Sequence, residues 1–169
     1  TLEGYEFPKS DGTLGNRKNM RRAHKLLEEA GYSVTDGILR DGTGTAFEFE
    51  ILLRQGAQEY LSISEIYANS LARLGIDVRI SLVDSAQYSE RLRKAQFEMV
   101  PYARGLSLSP GNEQSLYWSS EAADQEGTRN IIGVKSPAID YLLSRLMKSK
   151  TVDELQSITR AMDRVLTAG

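Results

Sequence analysis

The sequence predicts an α/β fold: a small, mainly parallel sheet with flanking helices. Three observations carry that prediction. Phe47–Leu53 and Ile76–Leu82 alternate apolar and polar side chains with a period of two, as half-buried strands do. Residues 59–74, between them, repeat apolar side chains at helical spacing. A further helix and a third apolar segment, Phe97–Ala103, follow the second strand. The order strand–helix–strand–helix–strand implies right-handed crossovers and parallel pairing.

Taken in order, residues 1–15 are polar and rich in Gly and Asp and read as an extended lead-in or hinge segment; residues 16–169 read as one α/β lobe. Asn16 is placed to cap a helix running to about Ala30, with Met20, Ala23, Leu27 and Ala30 on one stripe and Gly31 as the left-handed stop. Ile38–Arg40 lies between Asp36-Gly37 and Asp41-Gly42, a short strand bracketed by tight turns. In the strand Phe47–Leu53, Phe47, Phe49, Ile51 and Leu53 share a face opposite Glu48 and Glu50. The helix over 59–74 points Ile63, Ile66, Tyr67, Ser70, Leu71 and Leu74 inward and ends at Gly75. Asp84 or Ser85 caps a helix to about Ala95, and Pro101 weakens the third strand. The rest is helical. Glu113–Trp118 forms a short helix and 122–130 a surface loop. Ser136 caps and Pro137 opens a helix carrying Ile139, Leu142, Leu143, Leu146 and Met147. Thr151-Val-Asp-Glu154 is a capping box opening the last helix, with Leu155, Ile158, Met162, Val165 and Leu166 inward.

Composition narrows the function classes. The 169 residues suit one domain, with 40% hydrophobic and 26% charged side chains. A net charge of −2 supplies no field that selects nucleic acid or an anionic membrane. The absence of cysteine removes disulfides, thiolate metal sites and a cysteine nucleophile. No apolar run approaches the ~20 residues of a membrane span. The chain starts at Thr1 and reads as an excised or processed piece.

In open parallel sheets the ligand crevice lies beyond the carboxyl ends of the strands. Here those ends lead into 54–58, 83–85 and 102–114. The third is the longest: Gly105, Pro110 and Gly111 shape it, while Arg104, Ser107, Ser109, Asn112 and Gln114 offer polar groups for a peptide backbone or a carboxylate. A solvated crossover loop is the plain alternative. His24, the only histidine, lies among Arg21, Arg22 and Lys25 with no catalytic constellation and reads as a surface residue. Arg17, Lys18, Arg21, Arg22 and Lys25 form a basic face at a helix start, where cations oppose the macrodipole; it reads as a solvated face. Tyr117 and Trp118 read as core, with ligand stacking as the alternative. Asp36–Gly44 lacks the ligand spacing of a calcium hand, and Gly42-Thr43-Gly44 is no phosphate loop. Nothing orients Glu121, Asp124 and Glu126 as an acid/base set.

Several runs resemble the YejA-type branch of the family 5 extracellular solute-binding proteins. They are Asn19–Tyr32, Leu74–Val78, Val83–Tyr88, Phe97–Val100, Leu106-Ser-Leu-Ser-Pro-Gly-Asn-Glu-Gln114, Tyr117–Ser120, Gly127–Asn130, Gly133–Asp140 and Ala161–Leu166. The resemblance covers nearly the whole chain, and Ser-Pro-Gly-Asn-Glu-Gln is its most specific part. It implies a periplasmic binding protein-like type II lobe, the carboxy-terminal lobe of a two-lobed receptor whose amino-terminal lobe is absent here. It implies a periplasmic location, ABC permease subunits as partners and an oligopeptide or microcin C-like ligand, with no cofactor, no metal, no nucleic acid and no membrane span. Arg104, Gly105, Leu106, Ser107, Asn112 and Gln114 are the expected ligand-binding residues.

Two departures matter. Better-known oligopeptide binders carry an aspartate after this strand for the peptide's amino group; this chain has Arg104-Gly-Leu-Ser107. The branch's Ser-Trp-Gly-Gln-like stretch appears as Ala103-Arg-Gly-Leu106. Arginine favours a ligand carboxylate or phosphate, and facing the other lobe is the alternative. The expected function is substrate capture for ABC import, the alternative a peptide sensor or chaperone-like module. An enzyme is not expected: no Gly-x-Ser-x-Gly follows a strand.

Overall fold

The computed structural model describes residues 8–10, 12–13, 15–105 and 111–168. Most of the expected lead-in therefore lies outside the described residues, as do Leu106 and Ser107. The chain divides into two compact units. A strand unit holds the described residues up to Glu90 together with Phe97–Tyr102; a helical unit holds Arg91–Gln96 and the described residues from Ala103 on.

The strand unit begins with α1 (Arg17–Glu29). Asn16 does not cap it: the residue takes a left-handed conformation (φ 36°) and its side chain makes no cap hydrogen bond. The other end closes as expected, with Gly31 at φ 91° and Tyr32 N–H donating to the Leu27 carbonyl at 2.9 Å. β1 (Ser33–Thr35) and β2 (Ile38–Arg40) form an antiparallel hairpin across Asp36-Gly37, both at positive φ. β3 (Glu48–Arg54) and β4 (Asp77–Val83) pair in parallel, Glu48 opposite Asp77 through Arg54 opposite Val83. α2 (Gln58–Ala72) crosses between them, and α3 (Ser85–Arg93) follows, started by Asp84 accepting from the Ala86 and Gln87 N–H groups.

The sheet is thus not mainly parallel. The described strands make two two-stranded sheets, one antiparallel and one parallel. The expected third strand is reduced to one parallel bridge between Met99 and Ile51. Met99 donates to the Glu50 carbonyl at 3.1 Å and accepts from Leu52 N–H at 2.9 Å. Both neighbouring rungs are blocked. The Glu50 N–H donates instead to the Glu98 carboxylate at 2.6 Å, and Pro101 has no N–H to give. β3 is flanked by β4 and Met99, and its Ile51, Leu52 and Leu53 are all buried, where alternation alone had placed only Ile51 and Leu53 inside.

A second correction concerns α2. Its inward stripe is Leu61, Ser64, Ala68 and Leu71, with Ser64 buried. Ile63, Ile66 and Tyr67, expected inside, are 56%, 67% and 42% exposed. Small side chains inward allow a close approach to the strands. Leu39, Leu74 and Ile76 centre the apolar cluster, with Met20, Ala23 and Leu27 of α1 and an edge-on Tyr32–Phe47 pair, rings 5.3 Å apart. Each such buried side chain contributes about 1.5–3 kcal/mol.

The helical unit comprises α4 (Glu113–Trp118), α5 (Ser120–Ala123), α6 (Pro137–Leu146) and α7 (Val152–Ala168). Ser136 caps α6, accepting from Ile139 N–H. Thr151 accepts from Glu154 N–H at 3.2 Å, while Glu154 reaches back to Lys150 N–H, one residue before the expected partner. Ile139, Leu143, Leu146, Ile158 and Met162 form the core, with Trp118 packed on it. The expected surface loop over 122–130 is corrected: Ala122 lies in α5, and both Ala122 and Asn130 are buried.

Candidate functional site

The site is built around the carboxyl end of the 102–114 loop, inside the helical unit. α4 is only six residues long, so its side chains depend on their neighbours. Glu113 accepts from the Gly111 N–H at 3.0 Å and from the Gln114 amide at 3.2 Å. Gln114 in turn accepts from the Trp118 indole N–H at 3.0 Å. This chain of bonds fixes the turn at Gly111 and the orientation of the Trp118 ring. The bond from Gly111 N–H, then those from Glu113's own N–H and Gln114, hold the Glu113 carboxyl below the ordinary carboxylate range.

Arg104 meets this platform. Its guanidinium carbon lies 4.0 Å from the centre of the Tyr117 ring and 4.5 Å from that of Trp118. The half-buried cation is thereby stacked on two aromatic faces, worth roughly 0.5–2 kcal/mol for each such contact depending on desolvation. A second cation, Arg129, lies 5.8 Å from the Tyr117 ring centre, and its Nη1 donates to the Tyr117 hydroxyl at 3.4 Å. Gly105 and Asn112 are exposed, and the Asn112 side chain makes no cap bond. The structure therefore brings Arg104 and Gln114 onto one aromatic pair, with Gln114's amide engaged inside the chain.

Sequence reasoning missed the platform itself. Tyr117 and Trp118 were read as core; Trp118 does pack on the core, but both rings also carry Arg104. Beneath them, three of the recognised sequence runs converge. Asn130, 1% exposed, donates to the Ser119 and Val134 carbonyls at 3.0 and 2.9 Å and accepts from Val134 N–H at 3.0 Å. Asp140 accepts from the N–H and hydroxyl of Ser120 at 2.9 and 2.6 Å. These side chains hold the platform in place.

The other candidates behave as surface groups. His24 Nδ1 lies 3.4 Å from Glu28 on exposed α1. Asp124 pairs with Lys135 and Glu126 with Arg93. Arg93, Asp124 and Glu126 line a hollow of about 270 Å³ in which the Asn130 side chain is already hydrogen-bonded to backbone groups. Among the described residues no group of three His, Asp or Glu could hold a metal, and no helix is long and apolar enough to cross a membrane.

The described residues thus form an α/β strand unit and a helical unit, the latter offering a stacked cation beside hydrogen-bonding groups. The chain belongs to the bacterial extracellular solute-binding proteins, family 5 (Middle), whose model matches residues 2–126. Over 162 residues it is 40% identical to a putative binding protein of Brucella melitensis biotype 1, covering 96% of this chain and 26% of that protein. It is 34% identical over 165 residues to the probable peptide-binding protein YejA of Agrobacterium fabrum, covering 97% and 26%. The oligopeptide-binding protein AppA from Bacillus subtilis, solved with a nonapeptide, matches with a TM-score of 0.76 at 22% identity, over 86% of this chain and 29% of that one. That likeness shows the fold. The chain spans about a quarter of the length of the curated relatives it matches.

Proposed function

We propose that this chain is the carboxy-terminal lobe, residues 16–169, of the substrate-binding component of an ABC importer of the YejA-type branch. The receptor captures oligopeptides or peptide-like compounds in the periplasm and hands them to permease subunits. The amino-terminal lobe supplies the other half of the contacts, and closure of two lobes gives full affinity.

The observation that carries this reading is Arg104 stacked on Tyr117 and Trp118 at the start of the loop, with Glu113 and Gln114 tying down the loop's far end. A planar, charged fork on an aromatic floor suits a peptide carboxylate, which it meets with paired N–H donors. Gly105 and Asn112, both exposed, would meet the ligand's backbone, and Gln114 contributes by holding Trp118. The peptide-binding name of the Agrobacterium relative supports the ligand class. The charge of Arg104 makes the carboxyl end of the peptide the proposed anchor.

Calorimetry on the complete polypeptide encoded by the gene tests this, titrating short peptides, oligosaccharides and nickel ion in parallel. Saturable binding of peptides, weakened at least ~10-fold by Arg104→Ala, is expected. Binding of sugars or metal alone overturns the reading.

A further inference from the structure

α1 turns its apolar stripe, Met20, Ala23 and Leu27, into the strand unit. At the helical repeat, Arg17, Lys18, Arg21, Arg22 and Lys25 fall on the opposite side, and all five are exposed. The chain's net charge of −2 hides this local reversal. Arg73 adds to it: its Nη2 donates to the Gly15 carbonyl at 3.0 Å, just before the helix start.

This arrangement opposes the helix that carries it. Arg17 and Arg21, Lys18 and Arg22, and Arg21 and Lys25 are like charges at i,i+4 spacing, where neighbours repel. The first turn holds no acid, so the cations also stand at the positive end of the macrodipole. A solvated helix face usually relieves such repulsion with acids one turn on. Here only the last turn does so: Glu28 lies 3.4 Å from His24, and Glu29 3.5 Å from Lys25. Among the described residues no ion pair engages Arg17, Lys18, Arg21 or Arg22. Their charge is open to an anionic partner.

The make-up of the face selects the kind of partner. A protein partner would need a buried apolar or aromatic anchor at the centre of the contact. The face has none at its centre; Leu26, 54% exposed, lies at its margin. Attraction of clustered Lys and Arg to anionic lipid headgroups needs no such anchor. We propose that α1 is a reversible docking surface for an anionic lipid bilayer, with Arg17, Lys18, Arg21 and Arg22 set against the headgroups. The inference goes beyond the ligand reading and does not depend on it.

Flotation of the complete polypeptide encoded by the gene with lipid vesicles tests it. Vesicles of phosphatidylcholine mixed with phosphatidylglycerol should carry the protein, and phosphatidylcholine alone should not. Binding should fall away at ~1 M salt, where the screening length is about 3 Å. Arg17→Gln, Lys18→Gln, Arg21→Gln and Arg22→Gln combined should weaken binding to the mixed vesicles at least ~100-fold. The Tm of that variant without vesicles should equal or exceed that of the unsubstituted protein, because repulsion is removed. Equal behaviour with the two vesicle types, or mixed-vesicle binding that the variant keeps, overturns the proposal. A lower Tm in the variant shows that the cations serve the fold and overturns it too. Capture by permease subunits in phosphatidylcholine nanodiscs but not by the mixed vesicles, lost in the variant, assigns the face to a protein and overturns it equally.

Discussion

The guanidinium of Arg104 lies 4.0 Å from the centre of the Tyr117 ring, thirteen residues further along the chain. That one pairing ties the start of the 102–114 loop to the helix that follows it. Because the same cation also lies 4.5 Å from the Trp118 ring, the loop's first charged residue has a defined place. A double-mutant cycle of Arg104→Ala and Tyr117→Leu, read by urea unfolding, should give a coupling of about 0.5–2 kcal/mol. A coupling of zero would mean that the stack does not hold the loop.

Asn130 is the next test, because it is buried and makes three hydrogen bonds to backbone groups. Asn130→Ala leaves two carbonyls and one N–H without their partner. The expected loss is about 2–4 kcal/mol in urea unfolding. Asp124→Ala, at an exposed ion pair, should cost less than about 1 kcal/mol in the same experiment.

Gly75 separates backbone strain from steric exclusion. Its φ is +82°, and a Cβ there would stand 2.7 Å from the Leu39 nitrogen, which itself donates to the Gly75 carbonyl. Gly44 has a similar φ of +86° with nothing within 4 Å of an added Cβ. Alanine at Gly44 should therefore cost about 1 kcal/mol of conformational strain, and alanine at Gly75 upwards of about 3 kcal/mol. Equal losses at the two positions in thermal unfolding would contradict the close packing drawn here.

Glu113 makes the loop sensitive to acid. Its carboxyl is held below its ordinary value of 4.5, chiefly by the Gly111 N–H. A group with a lowered folded pKa gives stability that is present above the unfolded pKa and lost as pH falls through the folded one. The anchor should thus be intact at neutral pH and released only as pH falls below the ordinary carboxylate value. The Gly111 amide resonance, followed by NMR, should move with a midpoint under 4.5, and Glu113→Gln should abolish the movement. A midpoint at or above 4.5 would show that the Gly111 bond does not favour the charged form.

Much of the fold was legible because its signals are local. Ser136-Pro137, Thr151–Glu154, Gly31 and Gly75 act within a turn of their own position, and each start or stop falls where they put it. The alternation of 47–53 and 76–82 likewise gave β3 and β4. What failed depended on distant partners. The third strand shrinks because the Glu98 side chain takes a donor from β3, a bond spanning 48 residues that no pattern announces. In α2 two apolar stripes compete, and periodicity cannot say that the one with Ser64 and Ala68 faces inward. At the site, the sequence showed only that Arg104 follows the Met99 segment. The aromatic platform was not legible, since cation–π stacking and the Asn130 and Asp140 bonds leave no periodic trace.

The proposed receptor, of which this chain is a part, is expected to hold a peptide. Mass spectrometry of the complete polypeptide, purified natively from its host without added ligand and then denatured, tests it most directly. Released peptides or peptide conjugates are expected, with recovery sharply reduced for Arg104→Ala. Release of oligosaccharide or a metal chelate in their place, unchanged by that substitution, would contradict it.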